Sequence, residues 1–311
     1  MNNMKQETND KMDMTGMGGN GLKGVVRLSL RLKAVADFVR PGSRIADIGT
    51  DHGYVPIHLA QTGRAARAIA MDVRPGPLER AREHIKEYEG WAAKNAAAGG
   101  QPSFCTIEAR LSDGLKELKP GEADTVIIAG MGGELEIRIL EEGRHMWDSV
   151  SHWILSPQSD IHKVRLFLEE NGFVIEEEAM VKDEGKYYTI MDVGRGSMTY
   201  SRPIWYRYGK ILLDRKDGVL KEYLEKERAR VQGILERFKA QGDEGMDQVQ
   251  NQDGVPSGNQ DCDGDQGHDG GQVQEMVPAR TAIPMTEAQL RARNALMEEL
   301  GWIKEAQDEM Q

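Results

Sequence analysis

The chain has 311 residues, 39% of them hydrophobic, and its 40 Lys and Arg against 51 Asp and Glu give a formal net charge of −11. Its two cysteines support neither a disulfide framework nor a cysteine-rich metal site, and no apolar stretch reaches the roughly 18 residues that a membrane helix needs. These features exclude disulfide-rich secreted and membrane-spanning classes, favour a cytoplasmic protein, and at face value argue against a nucleic-acid partner.

Residues 1–21 are polar and rich in Met, Gly and Asn, and we predict a disordered N-terminal extension there. From residue 28 onward, apolar residues at helical spacing alternate with short apolar runs bounded by turn residues. These patterns predict, in chain order, a helix over 28–40, a strand over 44–48, a helix over 54–61, a strand over 68–73, a helix over 75–88, and strands over 104–109 and 124–129.

The alternation continues with a helix over 134–146, a strand over 153–155, a helix over 161–171, and two strands over 173–182 and 186–193. The last two strands flank Asp183-Glu184-Gly185, which is typical of a β-hairpin turn. Strands that alternate with helices predict a parallel sheet covered on both faces. Because an antiparallel hairpin closes this sheet, we predict the class I, Rossmann-like methyltransferase fold of the α/β class for residues 22–201.

Residues 204–239 and 285–307 have apolar residues on helical stripes, and we predict that they pair as an antiparallel, coiled-coil-like hairpin within a helical domain over 202–311. A Gly-, Asp- and Gln-rich insert at 241–283 has too little apolar surface to fold, so we predict disorder there. The insert contains nine acidic residues and one basic residue, whereas residues 202–239 contain eleven basic and six acidic. Much of the negative charge therefore lies in the insert, and the segment before it is basic.

Alternating acids at 261–265 suggest a calcium loop, but Gln272 stands where such a loop needs Glu.

The turn after the first predicted strand reads Asp47-Ile48-Gly49-Thr50-Asp51-His52-Gly53. Its glycines let the backbone bend and approach a ligand at a helix N-terminus. The G-x-x-x-G spacing differs from the G-x-G-x-x-G of dinucleotide sites, and two carboxylates in the loop would repel a pyrophosphate. Acid at this place suits the ammonium and sulfonium charges of S-adenosylmethionine.

Two further loops follow predicted strands. Asp72 ends the second strand, where a carboxylate can accept both ribose hydroxyl protons, and Ser112-Asp113-Gly114 after the third strand is placed to hold the adenine edge. A lone acid at a strand end also serves as a helix cap, but three such loops in succession favour a cofactor site. The predicted cofactor-binding residues are Asp47, Gly49, Thr50, Asp51, His52, Gly53, Tyr54, Asp72, Val73, Ser112, Asp113, Gly114, Ala129 and Gly130.

The strand over 124–129 ends in Ala129-Gly130-Met131-Gly132-Gly133, where class I methyltransferases position the acceptor atom. The glycines leave room for a flat base beside the methyl donor, or they only shape the strand-to-helix turn. The amino-methyltransferase signature, Asp or Asn followed by Pro-Pro and an aromatic residue, is absent from the sequence. The predicted catalytic positions are Asp51, Gly130, Met131 and Gly132.

The segments LSLRLKAVADFV, ADIGTDHGYVPIHLA, LSDGL, GEADTVIIAGMGG, WILSPQSDIHKVRLFLEENGF and DEGKYYTIMDV together resemble the bacterial TrmK family, which methylates N1 of adenine 22 in tRNA. The resemblance covers residues 28–193 and extends more loosely into the helical domain. It implies S-adenosylmethionine as donor, tRNA as acceptor, and a coiled-coil-like C-terminal domain that helps to hold the tRNA. The chain departs from the family in its N-terminal extension, its acidic insert and an Ala- and Gly-rich insertion at 92–100.

Adenine N1 has an in-plane lone pair, so it can attack the methyl carbon directly, and catalysis is then mostly positioning and electrostatics. The product is cationic, and Asp51 or the backbone of Gly130 to Gly132 would favour that charge. His52 is alternatively a hydrogen-bonding loop residue, and Tyr54 is alternatively a core residue.

Basic side chains of the first helix and of the basic C-terminal segment are predicted to contact tRNA phosphates, with a solvated face as the alternative. They are Arg27, Arg31, Lys33, Arg207, Lys210, Arg215 and Lys216. The histidines lack metal-ligand spacing, so we predict no metal site, and we expect a monomer. Two other functions compete: a Rossmann dehydrogenase, which the glycine spacing disfavours, and a non-catalytic RNA-binding or coiled-coil adaptor that kept the fold.

Overall fold

The computed structural model describes residues 24–97, 105–243 and 285–311. The strands in these ranges are β1 (Ser43–Ile48), β2 (Ala65–Asp72), β3 (Thr106–Leu111), β4 (Thr125–Ala129), β5 (His152–Ser156), β6 (Phe173–Asp183) and β7 (Lys186–Arg195). The α-helices are α1 (Leu30–Phe38), α2 (Tyr54–Gln61), α3 (Pro75–Ala97), α4 (Gly133–Glu142), α5 (Ile161–Glu170), α6 (Pro203–Tyr208), α7 (Lys210–Asp214), α8 (Gly218–Asp243) and α9 (Glu287–Glu309).

The seven strands form one sheet in the order β3-β2-β1-β4-β5-β7-β6. Strands β1 to β5 pair in parallel, whereas β7 runs antiparallel to both β5 and β6. The antiparallel hairpin therefore closes one edge of a parallel sheet, which confirms the predicted Rossmann-like methyltransferase fold. Because the first five strands are parallel, their carboxyl ends meet at one edge, and the loops that follow them are brought together.

Apolar side chains cover both faces of the sheet. Neighbouring residues of a strand point to opposite faces, so Ile127 belongs to one apolar cluster and Ile128 to the other. The first cluster packs around Trp153 and Phe173, and the second includes Ile45 from β1. Burial on both faces explains why β1 and β4 read as continuous apolar runs in the sequence.

Several element bounds differ from the prediction. Helix α3 continues to Ala97 and takes up the first residues of the Ala- and Gly-rich insertion, since alanine favours helix. The predicted helix over 134–146 ends at Glu142 and is followed by a 3₁₀ turn over Arg144–Met146. The N-terminal extension lies outside the described residues, as does the acidic insert apart from 241–243, which are helical in α8.

The predicted single helix over 204–239 is three helices, α6, α7 and α8. A buried ion pair explains why the first two stay with the sheet: the Arg165 guanidinium on α5 contacts Glu178 on β6 at 2.7 Å. Arg165 Nη1 also donates to the carbonyl of Tyr206, and the amide of Ile211 donates to Glu178 Oε2. Four elements thus share one buried polar network.

The described residues fall into two compact units, and the division between them lies inside α8. One unit comprises residues 24–97, 105–223 and 306–311, and the other comprises residues 224–243 and 285–305. Within the second unit, Arg230 of α8 forms an ion pair with Glu299 of α9 at 2.7 Å. The two helices are therefore in contact, and their antiparallel, coiled-coil-like pairing stays a prediction.

Candidate active site

The loops that follow β1, β2, β3 and β4 meet at the carboxyl edge of the sheet. The amides of Gly49 and Thr50 donate to the carbonyl of Met71, at 2.8 and 2.9 Å. One strand further along the sheet, the amide of Ser112 donates to the carbonyl of Asp72 at 3.0 Å. These backbone hydrogen bonds hold neighbouring loops side by side, so the three predicted cofactor loops do come together.

Two adjoining cavities open at this edge. The first, of about 430 Å³, is lined by Arg31, Ile48, Gly49, Asp51, Asp72, Val73, Arg74, Ser112, Asp113, Gly114, Ala129, Gly130, Met131, Leu135, Arg138 and Ile139. The second, of about 370 Å³, is lined by Ser29, Arg31, Leu32, Asp47, Gly49, Asp51, His52, Tyr54, Val55, Ala129, Asp183, Glu184 and Tyr188. Arg31, Gly49, Asp51 and Ala129 line both cavities and form the boundary between them.

Gly49 brings the first loop close to the loop after β4. Its φ is +77°, a left-handed conformation that glycine adopts without strain. A Cβ atom at this position would lie 2.1 Å from Met131 Cε, so no larger residue fits without a rearrangement. The close approach places the loops after β1 and β4 side by side in the lining of the first cavity.

The two carboxylates in and beside the loop after β1 differ in burial. Asp47 is buried, and desolvation raises its pKa from 3.8 to about 6; the Thr50 hydroxyl opposes the rise, and the charge of Asp72 adds to it. Asp51 is exposed, with Arg80 Nη2 at 3.5 Å and His52 Nε2 at 3.4 Å. A cationic ligand group would lower the pKa of Asp47 and relieve the cost of its charge.

Asp72 lies in the wall of the first cavity and also shapes the turn after β2. Its Oδ1 accepts a hydrogen bond from the amide of Arg74 at 2.7 Å. Arg74 precedes α3, which begins at Pro75, so this hydrogen bond belongs to the turn and is not a cap on a helical amide. A carboxylate has more than one acceptor site, so the turn contact leaves Asp72 able to accept from a ligand as well.

The loop over 112–114 uses its side chains internally. The Ser112 hydroxyl donates to the carbonyl of Gly114 at 2.8 Å and accepts from the amide of Glu117. Asp113 is exposed and forms an ion pair with Lys116, whose hydrogen bond lowers the pKa of Asp113. This loop lines the first cavity, but the Ser112 hydroxyl is already committed to shaping the turn.

The glycines after β4 differ in their surroundings. Gly130 has a φ of +90°, and a Cβ there would lie 3.2 Å from Nη1 of Arg31, so this glycine leaves space at the first cavity, and its role beside the acceptor base stays a prediction. Gly133 instead lies against the loop before α5, where a Cβ would be 2.6 Å from the carbonyl oxygen of Ser159. Gly132 is the N-cap residue of α4.

Three rings stack beside the second cavity. The rings of His52 and Tyr54 lie 5.2 Å apart at an angle of 5°, and His84 stacks on both at 5.6 and 5.3 Å. His84 Nδ1 also lies 2.8 Å from the carbonyl oxygen of His52. The sequence did not single out His84, because it comes from α3 and no local pattern links it to the loop.

The tip of the β6–β7 hairpin supplies further residues that the sequence analysis missed. Asp183, Glu184 and Tyr188 line the second cavity, although the sequence identifies the first two only as turn residues. Arg31, predicted to contact tRNA phosphates, lies instead at the boundary between the cavities. Asp183 and Arg31 are 152 positions apart in the sequence, so only the fold brings them together.

The other predicted RNA-binding residues are divided between ion pairs and exposed positions. Lys33 pairs with Asp37, Lys210 with Asp214, and Arg215 with Glu177. Arg27 and Lys216 are exposed, and Arg207 is half-buried. Part of the positive charge of this set is therefore already neutralised within the protein.

Among the residues that the structure describes, one cluster of possible metal ligands lies outside the lining of both cavities. Nitrogen and oxygen atoms of His152, Glu176 and Asp192 lie within 4.8 Å of one another. The Arg40 guanidinium occupies the same place, at 2.9 Å from Glu176 and 3.5 Å from Asp192. An arginine already supplies the positive charge that a metal ion would bring.

In the part of the chain that the structure describes, we find no helix suited to crossing a membrane.

Known proteins that resemble this chain in sequence and fold are methyltransferases. A family model described as a methyltransferase domain matches residues 28–191. The tRNA (adenine(22)-N(1))-methyltransferase of Bacillus subtilis is 30% identical over 223 residues, which cover 70% of this chain and 88% of that protein. The crystal structure of Streptococcus pneumoniae Sp1610, "a putative tRNA (m1A22) methyltransferase", is 27% identical, with a TM-score of 0.62 and coverage of 90% of this chain and 99% of that one. The same protein in complex with S-adenosyl-L-methionine superposes with a TM-score of 0.61.

Proposed function

The chain belongs to the bacterial TrmK family of methyltransferases, and from that premise we propose that it transfers the methyl group of S-adenosylmethionine to N1 of adenine 22 in tRNA. The observation that carries the proposal is the pair of adjoining cavities with a shared wall. Methyl transfer needs a donor and an acceptor that meet at one point while each is held separately. Gly49, Asp51 and Ala129 belong to both cavities and mark that meeting point.

The first cavity fits the donor. Gly49 and Met131 lie against each other in its lining, so the loops after β1 and β4 meet there, and acids lie at the ends of β1 and β2. Asp72 would accept the ribose hydroxyl protons, the backbone of 112–114 would contact the adenine, and Asp51 would face the positive charge of the methionine half. When bound, S-adenosylmethionine supplies an electrophilic methyl group on a sulfonium.

The second cavity fits the acceptor base. It offers the stacked rings of His52 and Tyr54, and a flat adenine packs well against such surfaces. N1 lies on the Watson–Crick edge, so the adenine must leave its stack before it can react. Since the N1 lone pair is free to attack, the protein's residues orient the base, exclude water and need not remove a proton from it.

Charge in the second cavity favours the product. Its ionisable side chains include four carboxylates, those of Asp47, Asp51, Asp183 and Glu184, and one guanidinium, that of Arg31. Methylation at N1 makes the adenine cationic, so nearby carboxylates stabilise the charge that develops in the transition state. Asp51 is our leading candidate for this role, because it lines both cavities.

We also propose that the helical domain and the exposed basic residues contact the tRNA backbone, and that the protein acts in the cytoplasm as a monomer without a metal. Arg27 and Lys216 are the exposed members of the basic set outside the ion pairs described above. Direct attack by N1 needs neither a general base nor a Lewis acid, which supports the absence of a metal from the mechanism.

The test is methylation of defined tRNA transcripts with radiolabelled S-adenosylmethionine, followed by nucleoside analysis. We expect labelled 1-methyladenosine with a transcript that has adenine at position 22, and none with its guanine-22 counterpart. Asp72→Asn, which keeps an acceptor for the Arg74 amide but loses the charge, should weaken S-adenosylhomocysteine binding about tenfold or more. No 1-methyladenosine with any adenine-22 tRNA would overturn the proposal and favour the non-catalytic adaptor.

A further inference from the structure

Arg31 has an unsatisfied hydrogen-bond donor at the boundary between the two cavities. Its Nη1 is buried and has no hydrogen-bond partner among the described residues. The rest of the residue is well fixed: its amide donates to Asp183 Oδ2 at 3.1 Å, and its Cζ lies 5.3 Å from the centre of the Tyr188 ring. A buried donor on a charged group is costly unless something accepts from it. Arg31 Nη1 is therefore available to donate a hydrogen bond to an anionic group of a ligand.

The position of the guanidinium indicates which cavity the anion occupies. Nη1 lies 3.2 Å from the place of a Cβ on Gly130, and Gly130 lines only the first cavity. The space that this glycine leaves is therefore next to the unsatisfied nitrogen. An anion at this place would lie at the end of β4, on the donor side of the shared wall.

The balance of charge agrees with that choice. The second cavity has four carboxylates against Arg31 alone, so a tRNA phosphate there would be repelled. In the first cavity, three carboxylates are matched by three guanidinium groups, which are those of Arg31, Arg74 and Arg138. An amino-acid group, with one ammonium and one carboxylate, suits such a balanced site better than a dianion or a lone cation does.

We propose that Arg31 binds the α-carboxylate of the methionine half of S-adenosylmethionine, while Asp51 serves its ammonium group. This assignment rests on the proposed function, and it moves Arg31 from the tRNA contacts to the donor site. Holding the amino-acid end orients the sulfonium at the other end of the same short chain. Because Asp183 and Tyr188 fix Arg31, the hairpin tip and α1 would together help to position the donor.

Isothermal calorimetry with three non-reactive ligands tests the assignment. S-adenosylhomocysteine has both charges, S-adenosyl-3-thiopropylamine lacks only the carboxylate, and 5′-methylthioadenosine lacks both. Arg31→Gln should weaken S-adenosylhomocysteine binding by roughly ten- to a hundredfold, which is the range for a hydrogen bond to a charged group. It should change the affinity for the other two ligands less than about threefold. Arg31→Lys should fall between, because lysine keeps the charge but not the fork of donors.

The matched control is Arg82→Gln, which alters an exposed arginine on α3 that pairs with Glu79, outside both cavities. It should leave all three affinities unchanged. Asp51→Asn should weaken both ligands that have an ammonium group, and so distinguish the two ends of the zwitterion.

The outcomes separate the possible errors. If Arg31→Gln binds S-adenosylhomocysteine as the wild type does, and instead loses affinity for tRNA, the residue contacts phosphate and the assignment is wrong. Equal losses for all three ligands would also overturn it and leave Arg31 a structural role. If the wild-type protein binds none of the three, the proposed function itself fails, and this assignment fails with it.

Discussion

The buried charge of Asp47 lowers the free energy of unfolding of the unliganded protein, so removing this charge should stabilise the fold. The side chain is buried at the end of β1, where desolvation raises its pKa from 3.8 to about 6. An acid whose pKa is higher in the folded state prefers its protonated form there. Its contribution to stability is therefore present at low pH and is lost as the pH rises from about 4 through 6.

The magnitude follows from the two pKa values. The difference between 3.8 and about 6 corresponds to about 3 kcal/mol at pH 8 and about 1 kcal/mol at pH 4.5. Asp47→Asn, which keeps the shape and removes the charge, should raise the free energy of unfolding by about these amounts. Urea unfolding followed by tryptophan fluorescence at both pH values measures the change.

Asp37→Asn is the matched control, since Asp37 is exposed and pairs with Lys33 on the surface of α1. It should change stability little at either pH. An equal stability change at pH 8 and 4.5, or no change at pH 8, would refute the burial argument.

Three further predictions concern other parts of the molecule. Glu178→Gln should lower the free energy of unfolding by about 3–5 kcal/mol, because it leaves the Arg165 charge buried without its partner; a neutral effect in urea unfolding would contradict this. Gly49→Ala should weaken S-adenosylhomocysteine binding in calorimetry. Met131→Ala in that background should restore only part of the affinity, because it removes the contact with Met131 but leaves the positive φ strained. Replacing the acidic insert 241–283 by a short Gly/Ser linker should tighten tRNA binding several-fold at low salt in anisotropy titrations, with a smaller gain as salt rises; weaker binding would mean that the insert has a part in the tRNA site.

Local patterns were enough to predict the sheet and its loops. Apolar runs such as 124–129 are read correctly because burial on both faces of a parallel sheet leaves a continuous signal. The acids and glycines at 47–53 and the glycines at 130–133 are informative because each lies just after such a run, where parallel strands must meet. The predicted positions of these loops depended only on strand order, and the order observed brings them together.

The rest of the site depends on contacts between distant residues. Arg165 and Glu178 are charged residues that a sequence pattern assigns to surface positions, yet their pairing buries both and fixes the segment over 203–217 to the sheet. Arg31 stands on a helix whose charges suggested a solvated or RNA-binding face, and its surroundings come from the hairpin tip about 150 positions away. Burial of a charge is decided by its partners, which a one-dimensional pattern does not reveal.

The net charge of −11 is likewise a sum over the whole sequence, and it does not give the charge of the surfaces that RNA would meet. Four carboxylates lie in the second cavity, where the target base would enter without its phosphates and would become cationic on methylation. If the base enters and the backbone stays outside, acid in the cavity and attraction of tRNA are compatible. The salt dependence of tRNA binding should then arise from exposed basic residues such as Arg27 and Lys216. Replacing Asp51 should alter turnover and have little effect on that salt dependence. A marked change in the salt dependence on Asp51→Asn would show that phosphate, and not only the base, comes close to the acidic cavity.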